Sequence, residues 1–161
     1  MLAGLVRGGC IPKRIVCTVQ REVAQRIVAA VGSADYSGFS LICQAAWQPR
    51  VVGDLKPGSF YPPPGIVSTI VDLVPRKPAC IKNSQFFVRT VRELFAARRK
   101  TVRNNLSRGT LLLGVEAARL EGIITRAEID PESRPETLDA KAVARLANHI
   151  EEHVSNSTSA L

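Results

Sequence analysis

A chain of 161 residues with 45% hydrophobic and 22% charged residues has enough apolar side chain for one good core or two small ones, which excludes a wholly disordered protein. The net charge of +8 favours a polyanionic partner. No apolar run reaches the roughly 18 residues of a membrane span, and the start lacks the pattern of a secretory signal, so we expect a cytoplasmic protein.

The first half of the sequence predicts a mixed α/β region. Short runs of β-branched residues that alternate with segments whose apolar residues have helical spacing are typical of strands connected by helices. The predicted elements, in chain order, are a strand at 15–19, helices at 20–31 and 37–47, and strands at 51–55 and 66–74. Because the run at 15–19 (IVCTV) has no polar alternation, it predicts a strand that is buried on both faces of a parallel sheet.

The second half predicts helices alone, at 86–106, 111–120 and 138–153, followed by a polar tail at 155–161 that we expect to be disordered. The predicted fold class is therefore α/β followed by all-α, with an α/β domain at 1–78 and a helical domain at 83–154. Two or three strands and two helices cannot cover both faces and both edges of a parallel sheet, so the α/β domain is expected to be incomplete.

The segment 86–106 carries the most concentrated positive charge. Seven basic residues lie between Arg89 and Arg108, against a single acid, Glu93. A continuous helix would have an apolar stripe that can pack against the core, formed by Val88, Val91, Phe95 and Val102. A second stripe contains Arg92, Arg99 and Arg103. Aligned guanidinium groups repel one another, so this stripe predicts a face that binds a polyanion, with an ordinary solvated face as the alternative.

The cysteines give no indication of a metal site. Cys10, Cys17, Cys43 and Cys80 contain no CxxC pair and have no histidine nearby. The sequence therefore predicts reduced thiols in the core, and neither a zinc site nor a redox pair.

Four motifs together resemble the bacterial small-subunit rRNA adenine N6-dimethyltransferase family. They are residues 20–26 (QREVAQR), residues 59–64 (SFYPPP) with Ser68 beyond them, residues 95–106 (FAARRKTVRNNL) and residues 134–138 (RPETL). The resemblance extends from about residue 15 to about residue 150. Gly65 and Val67 depart from it, since the family usually has Lys and Asp there.

The resemblance implies a Rossmann-like methyltransferase sheet with a small helical RNA-binding domain. It also implies transfer of methyl groups from S-adenosylmethionine to the N6 atoms of two adjacent adenines in a terminal rRNA hairpin loop. The glycine-rich cofactor loop, the acidic ribose-binding residue and the motif that holds the adenine amino group belong to an upstream half of the family's fold, and this sequence has none of them. The chain is thus expected to correspond to the C-terminal portion, without cofactor-binding residues and inactive by itself.

The resemblance also implies roles for individual residues. Phe60 is expected to stack on the target adenine, because an enzyme that modifies a base must take it out of the stack. A plug at the end of the sheet is the alternative for Phe60. Contacts to rRNA are expected from Arg92, Arg99, Lys100, Arg103 and Asn105. For Asn105, a role in ending the helix is an alternative to a contact with RNA.

Two functions remain open at this point. The first is an rRNA dimethyltransferase that acts in small-subunit assembly, with small-subunit rRNA and the precursor of the ribosomal subunit as partners. The second is a catalytically inactive RNA-binding remnant that docks on the small subunit. Under either hypothesis the protein is expected to be a monomer that does not contact membranes.

Overall fold

The computed structural model describes residues 2–9, 11–76 and 80–158, in which an α/β region precedes a helical region. The α/β region consists of α1 (Leu2–Arg7), β1 (Ile15–Gln20), α2 (Arg21–Val28), α3 (Gly38–Ala46), β2 (Trp47–Leu55) and β3 (Ser68–Pro75). The helical region consists of α4 (Ser84–Leu94), α5 (Val102–Leu106), α6 (Ala117–Arg126) and α7 (Ala140–Thr158). Single 3-10 turns lie at Pro57–Ser59 and Pro135–Thr137. At this level the predicted order of α/β followed by all-α is confirmed.

The sheet is antiparallel, so the prediction of a parallel sheet is wrong. Its strand order is β1-β3-β2, and β3 runs opposite to both neighbours. β1 and β2 point the same way, but the chain returns through the loop 56–67 and inserts β3 between them. The predicted burial of β1 on both faces is also wrong. Ile15, Cys17 and Val19 are half-buried on the core side, whereas Val16 on the other face is 60% exposed.

Helix boundaries follow local signals where these are present. α3 lies within one residue of its predicted span, because the Ser37 side chain accepts a hydrogen bond from the backbone N–H of Ser40 in a capping box. α2 ends at Val28, three residues earlier than predicted. Beyond it, Gly32 adopts a left-handed φ of +82°, and its N–H donates to the carbonyl of Glu136 at 2.8 Å. A contact with the helical region therefore replaces the last predicted turn.

Two predictions for the helical region need correction. The helix predicted at 111–120 is misplaced, because residues 107–114 form turns and α6 begins only at Ala117. α7 continues to Thr158, so residues 155–158 of the expected disordered tail are helical. The rest of that tail, residues 159–161, lies outside the described residues, as do residues 77 and 78 at the end of the predicted α/β domain.

One hydrophobic core joins the two regions. Fully buried members of the same cluster come from both of them: Leu41, Trp47, Leu94, Ile124 and Ile150. The buried Tyr36 hydroxyl donates a hydrogen bond to the carbonyl of Leu138 at 3.1 Å, and its ring packs edge-on against Phe95 with centroids 6.3 Å apart. The division into domains at 1–78 and 83–154 stays a prediction, and the two regions pack against each other as neighbours in one core.

The thiols are free but only partly in the core. Cys43 is buried, Cys17 is half-buried and Cys80 is exposed, so the prediction of a core thiol is wrong for Cys80, and Cys10 lies outside the described residues. Burial raises the pKa of the Cys43 thiol to about 12, which keeps it protonated. Among the described residues no group of His, Cys, Asp and Glu side chains could hold a metal ion, and none of the described helices has the length and apolar character of a membrane span.

The open face of the sheet holds a buried carboxylate between two arginines. Asp72 lies on the central strand and its side chain is 1% exposed. Arg14 donates to both of its oxygens at 2.8 and 2.9 Å, and Arg50 on β2 donates to Oδ2 at 2.8 Å. These hydrogen bonds from Arg14 and Arg50 lower the pKa of Asp72 from 3.8 to about 2. The ion pairs therefore connect all three strands on the face opposite the helices.

We expect Asp72→Asn to lower the melting temperature by several degrees at neutral pH, because it leaves two guanidinium groups without their carboxylate. A depressed pKa stabilises the fold above the unfolded value of about 3.8, and this stabilisation is lost as the pH falls towards 2. The acid sensitivity of the native protein in this interval should therefore be reduced in the variant. Thermal unfolding followed by circular dichroism at pH 2 to 7 measures both effects. Asp35→Asn, at an exposed aspartate, is the control, and equal losses in both variants would contradict the prediction.

Candidate RNA-binding surface and adenine loop

The basic segment is not one helix. α4 ends at Leu94, residues 95–101 form a turn, and α5 begins at Val102. The Thr101 side chain caps α5 by accepting a hydrogen bond from the N–H of Asn104. The first two N–H groups of α5, those of Val102 and Arg103, donate to the carbonyls of Ser133 and Pro131. The predicted apolar stripe is nevertheless buried or half-buried, because both helices pack on the same core. Since the helix is interrupted, the prediction that Arg92, Arg99 and Arg103 lie on one stripe is wrong.

Asn105 holds the turn that interrupts the helix. Its side chain is almost completely buried, with 4% of the residue exposed. Oδ1 accepts a hydrogen bond from the N–H of Ala97 at 3.0 Å, and Nδ2 donates to the carbonyls of Ala97, Lys100 and Thr101 at 3.2 Å each. The expected contact of Asn105 with RNA is therefore corrected to a structural role, since its hydrogen-bonding groups point into the turn. The alternative role of Asn105, in ending the helix, is closer to the structure, although the turn that Asn105 closes precedes α5.

Arg103 is neutralised by two acids from distant parts of the sequence. Its Nη1 lies 2.8 Å from Oε1 of Glu121 on α6, and its Nη2 lies 2.8 Å from Oε1 of Glu132. Hydrogen bonding to Glu121 and the charge of Glu132 raise the pKa of the guanidinium. Glu93 is the single acid near Arg103 in the sequence, but in the fold Glu121 and Glu132 offset its charge. Any phosphate at this position would have to compete with two carboxylates.

Two more charges of the segment act within the protein. Arg98 donates to the backbone carbonyls of Ser33 and Ala34, which connects the turn to the α/β region. Oε1 of Glu93 accepts hydrogen bonds from the N–H and hydroxyl of Thr110, both at 2.8 Å. A Cβ atom at Gly109 would collide with this carboxylate. The only acid of the segment therefore holds the turn after α5, and within the described residues it forms no ion pair with an arginine.

The remaining cations of the segment are exposed and uncompensated. These cations are Arg89, Arg92, Arg99, Lys100 and Arg108. In the part of the chain that the structure describes, no carboxylate lies within ion-pair distance of any of them. Arg99 and Lys100 stand on the turn that Asn105 closes, and Arg92 is in the last turn of α4. We call Arg92, Arg99 and Lys100 the basic turn. A cluster of exposed, unpaired cations is the electrostatic requirement for binding nucleic-acid phosphates.

The loop 56–67 joins β2 to β3 at the end of the sheet where β1 also ends. Phe60, after the 3-10 turn, is half-buried and its N–H donates to the carbonyl of Pro57 at 3.1 Å. Tyr61 beside it is 100% exposed, which sequence reasoning missed. The signal that could have found Tyr61 is its position between an aromatic residue and three prolines. An exposed aromatic ring on a short loop offers a surface on which a base can stack.

A shallow cavity of about 280 Å³ lies near this loop, at the end of β1, lined by Gln20, Arg21, Glu22, Ile66 and Val67. The N–H of Arg21 donates to the carbonyl of Val67 at 3.2 Å. β1 passes directly into α2, with no glycine turn between them that would let a cofactor approach the backbone.

Comparisons with known proteins decide the family. The family described as ribosomal RNA adenine dimethylase matches residues 7–150. This chain belongs to the ribosomal RNA adenine dimethylase family. The resemblance carried by the four motifs is thus confirmed, and the matched range includes both the basic turn and the loop with Phe60.

Curated relatives of this dimethylase family member are about twice its length. It is 38% identical over 143 residues to the ribosomal RNA small subunit methyltransferase A of Syntrophotalea carbinolica, covering 87% of this chain and 52% of the relative. It is 39% identical over 140 residues to the protein of the same name from Pseudomonas aeruginosa, covering 86% and 49%. The chain therefore spans about half the length of the curated relatives that it matches.

Two solved structures share the fold of this chain. A dimethyladenosine transferase from Plasmodium falciparum superposes with a TM-score of 0.75 at 22% identity, covering 87% of this chain and 57% of that one. The 23S rRNA methyltransferase ErmE superposes with a TM-score of 0.55 at 16% identity, covering 86% and 55%. The antiparallel sheet with its helices is therefore part of a methyltransferase-like fold.

Proposed function

We propose that the chain is the RNA-docking and adenine-positioning part of an rRNA adenine N6,N6-dimethyltransferase. The observation that carries this proposal is the family match over residues 7–150, which includes the exposed cations and the aromatic loop. The substrate is small-subunit rRNA with two adjacent adenines in a terminal hairpin loop, within a precursor of the ribosomal subunit. The chain acts as a monomer, and S-adenosylmethionine supplies the methyl groups when it is bound by the half of the relatives' length that this chain does not span.

The residues of this chain have two separable roles in the proposal. The basic turn binds phosphates of the hairpin, which positions the RNA without reading its sequence. The loop 56–67 receives the adenine after it has left the stack, and Phe60 or its neighbour Tyr61 provides a face for stacking. The proline run limits the freedom of this loop, which reduces the entropy lost when the base binds.

A catalytically inactive RNA-binding protein that docks on the small subunit is the second candidate. It is favoured by one observation, that β1 passes directly into α2 without a glycine turn between them. Both candidates need RNA binding by the basic turn. Only the first needs methyl transfer once the other half of the relatives' length is provided, so a methylation assay of the completed protein separates them.

Binding of the chain to an RNA hairpin is expected to weaken steeply with salt. Three or four phosphate contacts give a slope of log K against log salt of about −2 to −4. Arg99→Ala and Lys100→Ala should each flatten the slope by up to about one unit. Arg103→Ala should flatten it less, because Glu121 and Glu132 already neutralise this side chain.

Fluorescence anisotropy from about 50 to about 200 mM salt measures these slopes. Lys141→Ala is the control, since it removes one positive charge from an exposed position at the start of α7. Equal slopes for the native protein and for Arg99→Ala and Lys100→Ala would show that the basic turn is only a solvated surface.

A further inference from the structure

A cleft between α6 and α7 lies outside the sites described above. Its volume is about 390 Å³, at the lower end of the range for small-ligand sites. α6 contributes one stripe of residues to its wall and α7 contributes another. The lining residues are Arg119, Gly122, Ile123, Arg126, His149, Glu152, His153 and Asn156. Arg119, Gly122 and Arg126 are spaced three and four residues apart, so they fall on one face of α6.

The charge of this cleft is positive. Within the described residues, no carboxylate lies within ion-pair distance of Arg119 or Arg126. The acid of the lining, Glu152, is 2.8 Å from Nζ of Lys82, which neutralises it. Burial and the nearby Arg119 guanidinium lower the pKa of His153, so its imidazole is neutral at neutral pH and the positive charge of the cleft comes from α6. Two guanidinium groups are thus left without a counter-ion at one cleft.

The two walls of the cleft are held together by contacts between α6 and α7. Arg145 of α7 ties the end of α6 by donating to the carbonyl of Ala127 at 3.0 Å and by pairing with Glu128 at 3.1 Å. Gly122 lies on the cleft, and a Cβ atom added there would have no heavy atom within 4 Å. The buried Nδ1 of His149 lies 3.5 Å from Oε2 of Glu152.

We propose that the cleft between α6 and α7 binds a nucleotide, with its phosphate held by Arg119 and Arg126. Guanidinium groups bind phosphate with paired, charge-assisted hydrogen bonds, and the volume leaves room for an attached sugar or base. The nucleotide is either free or part of an RNA chain, because the phosphate chemistry of the two is the same. This proposal does not depend on the proposed methyltransferase function or on the basic turn.

The test uses the whole chain with three probes: adenosine 5′-monophosphate, adenosine without phosphate, and a short single-stranded RNA. Calorimetry should show that the phosphate-bearing probe binds and that adenosine does not. Arg119→Ala and Arg126→Ala should each weaken binding by about tenfold or more. Gly122→Leu should abolish it by filling the cleft, and the fold should be retained because space is available and leucine favours a helix.

Thr125→Leu is the matched control, because it adds the same side chain to an exposed position of α6 that does not line the cleft. If the native chain binds adenosine 5′-monophosphate and Gly122→Leu abolishes this binding, the cleft is a site for free nucleotides. RNA binding weakened by Gly122→Leu, without binding of the monophosphate, identifies a site for a nucleotide within a chain. If folded Gly122→Leu binds both probes as the native chain does, or if neither probe binds, the proposal is wrong. Lys100→Ala in the same titrations reports separately on the basic turn.

Discussion

Phe60→Ala should lower rRNA methylation by about five- to more than a hundredfold. The experiment uses a completed protein, in which this chain is joined to the half of a relative that it does not span. Stacking of a base on an aromatic ring contributes about 1 to 3 kcal/mol, and this contribution is needed when the adenine is held outside the helix. Affinity for the hairpin should change little, because phosphate contacts at the basic turn supply most of it. Single-turnover methylation and anisotropy on the same RNA measure the two quantities.

Conservative and neighbouring variants make the Phe60 experiment specific. Phe60→Tyr and Phe60→Trp should retain most of the activity, since each keeps an aromatic face. Tyr61→Ala should stay within about twofold of the native rate, and the opposite ranking of Phe60→Ala and Tyr61→Ala would assign the stacking to Tyr61. If Phe60→Ala instead lowers the melting temperature and leaves the rate per folded molecule unchanged, Phe60 only plugs the end of the sheet.

Asn105→Ala is expected to have the largest effect on stability, a loss of about 2 to 4 kcal/mol. It removes four hydrogen bonds, including the one that the N–H of Ala97 donates, while the carbonyls of Ala97 and Thr101 keep their backbone partners. In a chain of this length such a loss lowers the melting temperature by roughly 4 to 16 °C. Because the same turn carries Arg99 and Lys100, RNA affinity should fall as well, although Asn105 itself does not face solvent.

Asn104→Ala provides the matched control for this experiment. Asn104 is the neighbouring residue of α5, and its half-buried side chain makes no hydrogen bond within the described residues. The substitution should change stability by no more than about 0.5 kcal/mol. Thermal unfolding and hairpin binding measured on both variants separate a structural role from direct contact. A stable Asn105→Ala protein that loses RNA binding would restore the direct contact that the structure argues against.

The parts of the fold that the sequence could predict are those set by neighbouring residues. The start of α3 follows from Ser37, whose cap is formed within one turn. Burial of Val88, Val91 and Val102 was predictable because apolar side chains leave water whether or not the helix continues. The motifs identified the family for the same reason, since they are contiguous runs of residues.

The parts that the sequence could not predict depend on distant residues. The direction of the sheet is decided by β3, which pairs with β1 across about 50 residues. The break before α5 depends on hydrogen bonds from Asn105 and on the loop at 131–133, and an amphipathic pattern continues through it. Arg103 looked free because its partners, Glu121 and Glu132, are far away in the sequence.

The two edges of the sheet differ in how they resist association with other chains. β2 contains Pro49, which has no N–H to donate, and a bulge between Val51 and Gly53. β1 has neither protection, and its exposed Val16 adjoins a free row of backbone groups. Although the chain acts as a monomer in the proposed function, concentrated solutions should oligomerise through β1, and Val16→Lys should keep the preparation monomeric.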